Sequence, residues 1–156
     1  TLILDGGPCR VGVESTIVKI DGDRAIPLRP GGLARQEIEA VIGARLEAPA
    51  GAGIEAPGML ASHYAPKARL RLNAKAPRAN EAFLGFGDIG AAGEASLNLS
   101  AKGDLVEAAA NLFSYLRRLD AICAEKSLEG IAAAPVPDNG LGEAINDRLA
   151  RAAAPR

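Results

Sequence analysis

Between residues 45 and 66 the chain carries Pro49, Gly51, Gly53, Pro57, Gly58 and Pro66, with no usable hydrophobic period. Proline fixes φ and lacks an N–H donor, so neither a continuous helix nor a central strand runs through such a stretch. The segment therefore reads as a semi-extended linker, stiffened by its prolines. Whatever the chain folds into must be built from one part before it and one part after it.

The part before the linker reads as β followed by one helix. Leu2–Leu4 is a short apolar run closed by Asp5-Gly6-Gly7-Pro8, and it opens as a strand already under way, which suggests that something precedes Thr1. Thr16–Ile20 is β-branched and roughly alternating, Asp21-Gly22-Asp23 supplies a tight turn, and Arg24–Leu28 is the expected partner strand. After Arg29-Pro30-Gly31-Gly32, the residues Ile38, Val41 and Ile42 share one face of a short helix, with Gly43 as its left-handed cap.

The part after the linker has an α/β pattern. Arg69–Leu72, Ala82–Phe86 and Ala95–Leu99 are strand candidates. Asp104 opens a helix, with Glu107 as its capping-box partner, and Leu105, Ala109, Leu112, Leu116 and Leu119 form one apolar stripe down to about Cys123. Leu128–Ala134 is a further strand, and Leu141, Ile145, Leu149 and Ala152 mark the face of a last helix. Strands alternating with helices of this length predict a Rossmann-like parallel sheet.

A net charge of −1 gives no basic footprint for binding nucleic acid directly, and no apolar run is long enough to span a bilayer. A cytoplasmic location is the default expectation. Cys9 and Cys123 have no CxxC or Cys/His spacing around them and read as small buried hydrophobes.

Four features could carry chemistry. Gly85-Phe86-Gly87-Asp88-Ile89-Gly90 fits GxGxxG, but a strand rather than a long helix follows it, so it reads as a glycine-rich loop. Glu14-Ser15-Thr16 sets two hydroxyls at a strand start, where they can bind a carboxylate, carbamate or phosphate oxygen or simply cap a turn. Arg29 sits where the next strand stops and can fork onto a phosphate, or it is a surface residue before the turn. The linker carries Pro57-Gly58-Met59 and then Ser62-His63-Tyr64-Ala65-Pro66, which places the only histidine beside a tyrosine between prolines. Such a segment can lie over a pocket with little freedom left to lose, or be a tether whose tyrosine fills an apolar gap.

In order, Ile3-Leu4-Asp5-Gly6-Gly7, Gly12-Val13-Glu14-Ser15-Thr16-Ile17-Val18 and Leu28-Arg29-Pro30-Gly31-Gly32 resemble the end of a YrdC-like domain. The motif around Ser62-His63-Tyr64 resembles the interdomain linker of the long, two-domain L-threonylcarbamoyladenylate synthases, and Leu141-Gly142-Glu143-Ala144-Ile145-Asn146-Asp147-Arg148-Leu149 resembles the close of their second domain. The resemblance implies residues 1–45 as the end of the catalytic domain, 46–66 as the linker and 67–156 as a Rossmann-like accessory domain. It also implies a nucleotidyltransferase that uses L-threonine, bicarbonate and ATP, with magnesium expected but no ligand assigned to it here. A downstream tRNA threonylcarbamoyl transferase complex would take the product. Carried over by position, Ser15 and Thr16 would bind threonine or its carbamate, and Arg29, His63 and Tyr64 would bind ATP. No covalent or acid–base residue is assigned. Lys19 departs from an acidic residue usual in the family's strand, and the family's Lys-x-Arg and Ser-x-Asn phosphate motifs are expected upstream of residue 1, so the isolated chain is expected to be inactive. The competing expectation is a non-catalytic α/β binding or regulatory module that acts with a separate catalytic chain.

Overall fold

The computed structural model describes all residues except 1, 5, 8, 49–55, 58–64, 91–92 and 156. Among the described residues there are two sheets, one formed before residue 49 and one after residue 64. The first is an antiparallel ribbon of β1 (Ile17–Asp21) and β2 (Arg24–Arg29), joined by a two-residue turn in which Gly22 takes a φ of 60°. The second is parallel throughout and contains β3 (Arg69–Arg71), β4 (Glu81–Gly85), β5 (Ser96–Asn98) and β6 (Gly130–Ala133), in the spatial order β3-β6-β4-β5. Among the described residues three helices accompany them: α1 (Arg35–Ile42), α2 (Leu105–Lys126) and α3 (Leu141–Ala153).

The parallel sheet expected from the sequence is present, but only the later strands are followed by helices. Residues 72–80 carry the chain from β3 past β6 to β4, and no helix is found among them. The GxGxxG stretch is a tight turn at the end of β4, closed by reciprocal backbone bonds between Phe86 and Ile89. Gly85 is needed there, because a Cβ would lie 2.5 Å from the Ile89 carbonyl oxygen.

The leucine stripe of α2 is buried at Leu112, Leu116 and Leu119 and packs with Phe83, Leu84, Leu99, Ile131, Ile145 and Leu149 into one core. At its N-terminus Asp104 accepts from the Val106 and Glu107 amides, at 2.7 and 3.2 Å. Glu107 does not close the capping box directly. It accepts from the Ser100 hydroxyl, which in turn accepts from the Asp104 amide at 3.0 Å, so a buried serine relays the cap. Ser127, with φ 54°, ends the helix.

Three other expectations change. Leu2–Leu4 is not a strand: its side chains are 82–87% exposed, and an apolar run without a ladder partner among the described residues has nothing to pair with. On α1 no residue is fully buried and Val41 faces solvent, although Gly43 is left-handed as expected. Cys9 is exposed, whereas Cys123 is buried and donates its thiol to the Gly130 carbonyl at 3.4 Å.

The two sheets are also joined. Val13 belongs to the same buried cluster as the parallel sheet, and Gly12 lies directly on α2, where a Cβ would come within 2.3 Å of the Ala109 carbonyl oxygen. No helix among the described residues is long and apolar enough to cross a membrane.

Candidate functional site

The residues singled out at the start of β1 and the end of β2 are brought together by an irregularity in the ribbon. Val18 pairs with Pro27 but Ile17 pairs with Arg29, so Leu28 is an extra residue in β2. In a regular ladder Leu28 would face Ile17, and Arg29 would stand opposite Thr16 on the other face. The bulge re-aims Arg29, as bulges beside functional sites often do.

Arg29 is 7% exposed, and its guanidinium is spent largely on backbone. Nε and Nη2 donate to the Ser15 carbonyl at 3.3 and 2.9 Å, and Nη1 donates to the Pro57 carbonyl at 2.9 Å. Nη2 also lies 3.5 Å from the Ser15 hydroxyl. This arginine is thus neither a surface residue nor an open fork. It ties the strand start to Pro57 and leaves two of its five N–H donors outside its three backbone contacts.

Ser15 and Thr16 are adjacent but differently used. The Thr16 hydroxyl donates to the Leu33 carbonyl at 2.6 Å and accepts from the Leu33 amide at 3.1 Å, which closes the loop after β2 onto β1. Ser15 is exposed, so its hydroxyl is the one presented outward. Gly31 presses against the same backbone. A Cβ there would lie 2.3 Å from the Glu14 carbonyl oxygen and 2.4 Å from both the Ser15 carbonyl carbon and the Thr16 nitrogen. Gly32 completes the contact by donating its amide to the Glu14 carbonyl at 2.8 Å. His63 and Tyr64 lie outside the described residues.

Several residues without an assigned role complete the arrangement. From α3, the fully buried Arg148 donates through Nε to the Glu14 carboxylate at 2.9 Å and through Nη1 to Asp147 at 2.5 Å. Arg35 of α1 pairs with Glu143 of α3 at 2.8 Å. Glu14 and Arg148 both stand in recognisable motifs, but 134 positions separate them, and opposite charge alone does not pair residues so far apart.

The strings Lys-x-Arg and Ser-x-Asn do occur in the chain, as Lys67-Ala68-Arg69 and Ser96-Leu97-Asn98. The first leads into β3 and the second is β5, where the Asn98 carboxamide is occupied by the Gly87 carbonyl at 3.0 Å, so neither adds to the Ser15–Arg29 site. Among the described residues no three His, Cys, Asp or Glu side chains gather into a metal site. A cavity of about 380 Å³ opens outside the carboxyl ends of β3 and β6, lined by Leu72, Asn73, Ala134, Val136, Asp138 and Asn146. Ser15, Thr16 and Arg29 do not line it.

Residues 33–154 match the sequence profile of the family described as threonylcarbamoyl-AMP synthase, C-terminal domain. The chain belongs to this family. A threonylcarbamoyl-AMP synthase of Pyrococcus abyssi is 36% identical over 96% of the chain, and one of Bacillus subtilis is 33% identical over 99%. These alignments cover 48% and 49% of the two relatives, so the chain spans about half the length of the curated relatives it matches. The crystal structure of P. abyssi Sua5 complexed with L-threonine superposes with a TM-score of 0.76 at 30% identity, covering 96% of this chain and 48% of that one. A second structure of the same archaeal protein, with a neighbouring histidine and tyrosine both changed to alanine, gives a TM-score of 0.70 at 27% identity and covers 96% and 47%.

Proposed function

We propose that the chain supplies one wall and the covering segment of an L-threonylcarbamoyladenylate synthase active site, together with an accessory parallel α/β domain. In this reading residues 1–45 end the catalytic domain, 46–66 link, and 67–156 form the accessory domain. The reaction joins L-threonine and bicarbonate as a carbamate, with loss of water. A carbamate oxygen then attacks the α-phosphate of ATP and expels pyrophosphate, which makes the protein a nucleotidyltransferase. The product passes to a tRNA threonylcarbamoyl transferase complex, so this chain itself needs no nucleic-acid surface and acts in the cytoplasm.

The observation that carries the proposal is the outward Ser15 hydroxyl held beside Arg29. Ser15 offers a neutral donor and acceptor to threonine or its carbamate, and Thr16 fixes the loop behind it. Arg29 brings a permanent positive charge to where phosphate oxygens must lie, with two donors beyond its backbone contacts. Because it also holds the Pro57 carbonyl, it ties that wall to the segment carrying His63 and Tyr64. The L-threonine bound by the P. abyssi relative and the His–Tyr pair altered in its variant support this assignment, since this chain has a single His-Tyr dipeptide. Such a reaction is accelerated by holding the carbamate oxygen in line with phosphorus and neutralising charge there, without a covalent protein intermediate.

The test measures ATP-dependent pyrophosphate release with L-threonine and bicarbonate. The 156-residue chain alone should give none, and turnover at enzyme-like rates would sink the claim that it holds only part of the site. In the synthase containing both halves, Arg29→Ala should weaken an unreactive ATP analogue about a hundredfold, as expected for loss of about 2–3 kcal/mol in charge-assisted bonds. Tyr64→Phe should cost less, about 0.5–1.5 kcal/mol for one neutral hydrogen bond. An Arg29→Ala protein that binds the analogue as tightly as wild type would remove Arg29 from the ATP site.

A further inference from the structure

On α3 the inward face consists of Ala144, Ile145, Arg148, Leu149 and Ala152. One position in this apolar row is a fully buried guanidinium. Replacing a buried ion pair with well-packed apolar groups is often neutral or stabilising, so a charge kept at this position is poorly explained by stability. Its direction gives a better account. Nε donates to one Glu14 carboxylate oxygen at 2.9 Å, Nη2 lies 2.9 Å from the same oxygen as an ion pair without hydrogen-bond geometry, and Glu14 immediately precedes Ser15. Behind it Asp147 takes Nη1 and is itself held by Arg151 at 2.9 Å, so the guanidinium is fixed from the rear.

We propose that Arg148 is a positioning residue, through which the accessory domain sets the place of the Ser15 hydroxyl in the threonine pocket. The inference rests on the reading of Ser15 as a threonine-binding residue. Three other polar holds on this strand start are local: Gly32 on the Glu14 carbonyl, Arg29 on the Ser15 carbonyl and Leu33 on the Thr16 hydroxyl come from the β2 end and the loop after it. The Glu14–Arg148 pair anchors the same three residues to the parallel-sheet domain. Without it the strand start keeps only the apolar contact of Gly12 and Val13 with that domain, and its local clamps open more often. The motif at the close of the second domain thereby acquires a physical task, which is to grip the motif at the end of the first.

Two variants and two readouts test this. Glu14→Gln keeps the shape of the half-exposed partner and leaves Arg148 with Asp147, whereas Arg148→Met removes the grip from the other side. In the 156-residue chain, Glu14→Gln should speed hydrogen exchange at the Gly32 and Leu33 amides at least about tenfold, because their acceptors are the Glu14 carbonyl and the Thr16 hydroxyl, with the Leu112 and Leu116 amides unchanged. In the synthase, each variant should raise KM for L-threonine about five- to twentyfold with kcat and KM for ATP within about twofold, and the double variant should be no worse than the worse single one. Ser15→Ala is measured alongside. If Ser15→Ala raises the threonine KM but neither variant does, or if exchange at Gly32 and Leu33 is unaltered, the positioning role is wrong. A silent Ser15→Ala instead removes the threonine reading, and the inference with it.

Discussion

The ribbon and the parallel sheet are stabilised by different means. Around the parallel sheet, Phe83, Leu84, Leu99, Leu112, Leu119, Ile131 and Ile145 are all essentially fully buried, and most of the stabilisation there is non-directional apolar burial. Ile26 is the one large apolar side chain that the ribbon and α1 bury, and their geometry depends on polar groups aimed at backbone: Arg29 at Ser15 and Pro57, Thr16 at Leu33, and the Glu37 carboxylate at the Ala34 amide at 3.0 Å. Apolar packing tolerates small shifts, but a guanidinium shared between two carbonyls does not. The contrast suggests a division of labour in which the parallel sheet supplies stability and the ribbon supplies placement for the residues nearest the proposed chemistry.

The largest expected effect tests the first half of that contrast. Leu112→Ala opens a cavity in the middle of the α2 stripe and should cost about 2–5 kcal/mol in urea-induced unfolding. If it cost no more than removing a ribbon clamp, the distinction between the two regions would collapse. Next comes Gly31→Ala, whose new methyl group collides with backbone on three atoms rather than with a movable side chain. Overpacking of this kind should cost about 1–3 kcal/mol. It should appear as faster exchange at Gly32 and Leu33 with α2 left protected, and an unchanged ribbon would mean that the contact with Glu14–Thr16 is slack.

The smallest effect concerns a polar clamp of the parallel sheet. Arg71 forks onto Glu81 at 2.5 and 2.8 Å, and with the Arg78 amide it holds the carboxyl down at about 2. A carboxylate lowered from its ordinary value contributes stability that is fully present above that value and is lost as pH falls through the folded one. Stability should therefore decline from about pH 4.5 towards pH 2, and Glu81→Gln should flatten that part of the curve while costing about 1–2 kcal/mol at neutral pH, since Arg71 is partly exposed. An unchanged acid limb in the variant would assign the decline to other groups.

Periodicity made the parallel-sheet part legible in the sequence. The four-three-four-three leucine spacing of α2, the turn at Gly22 and the left-handed cap at Gly43 are local signals, and each is found where local chemistry puts it. Selection of partners was not legible. Leu2–Leu4 has strand composition but no ladder, and Glu107 has capping-box spacing but bonds Ser100, whose hydroxyl arrives from outside the helix. In the site, Ser15 and Arg29 were visible as residue types at strand ends. The Leu28 bulge that joins them and the Arg148 grip from the far end of the chain depend on tertiary register, which one sequence does not encode locally.

The unequal surroundings of the two cysteines have a practical consequence. Burial pushes the Cys123 thiol above its ordinary range and keeps it as an S–H donor to Gly130, whereas Cys9 stands in the open six residues before Ser15. Only a thiolate reacts readily with maleimides and disulfide reagents, and the reagent must reach it. A fluorophore or spin label should therefore settle on Cys9 in the unmodified protein. The molecule already carries a single spectroscopic handle beside its proposed threonine wall.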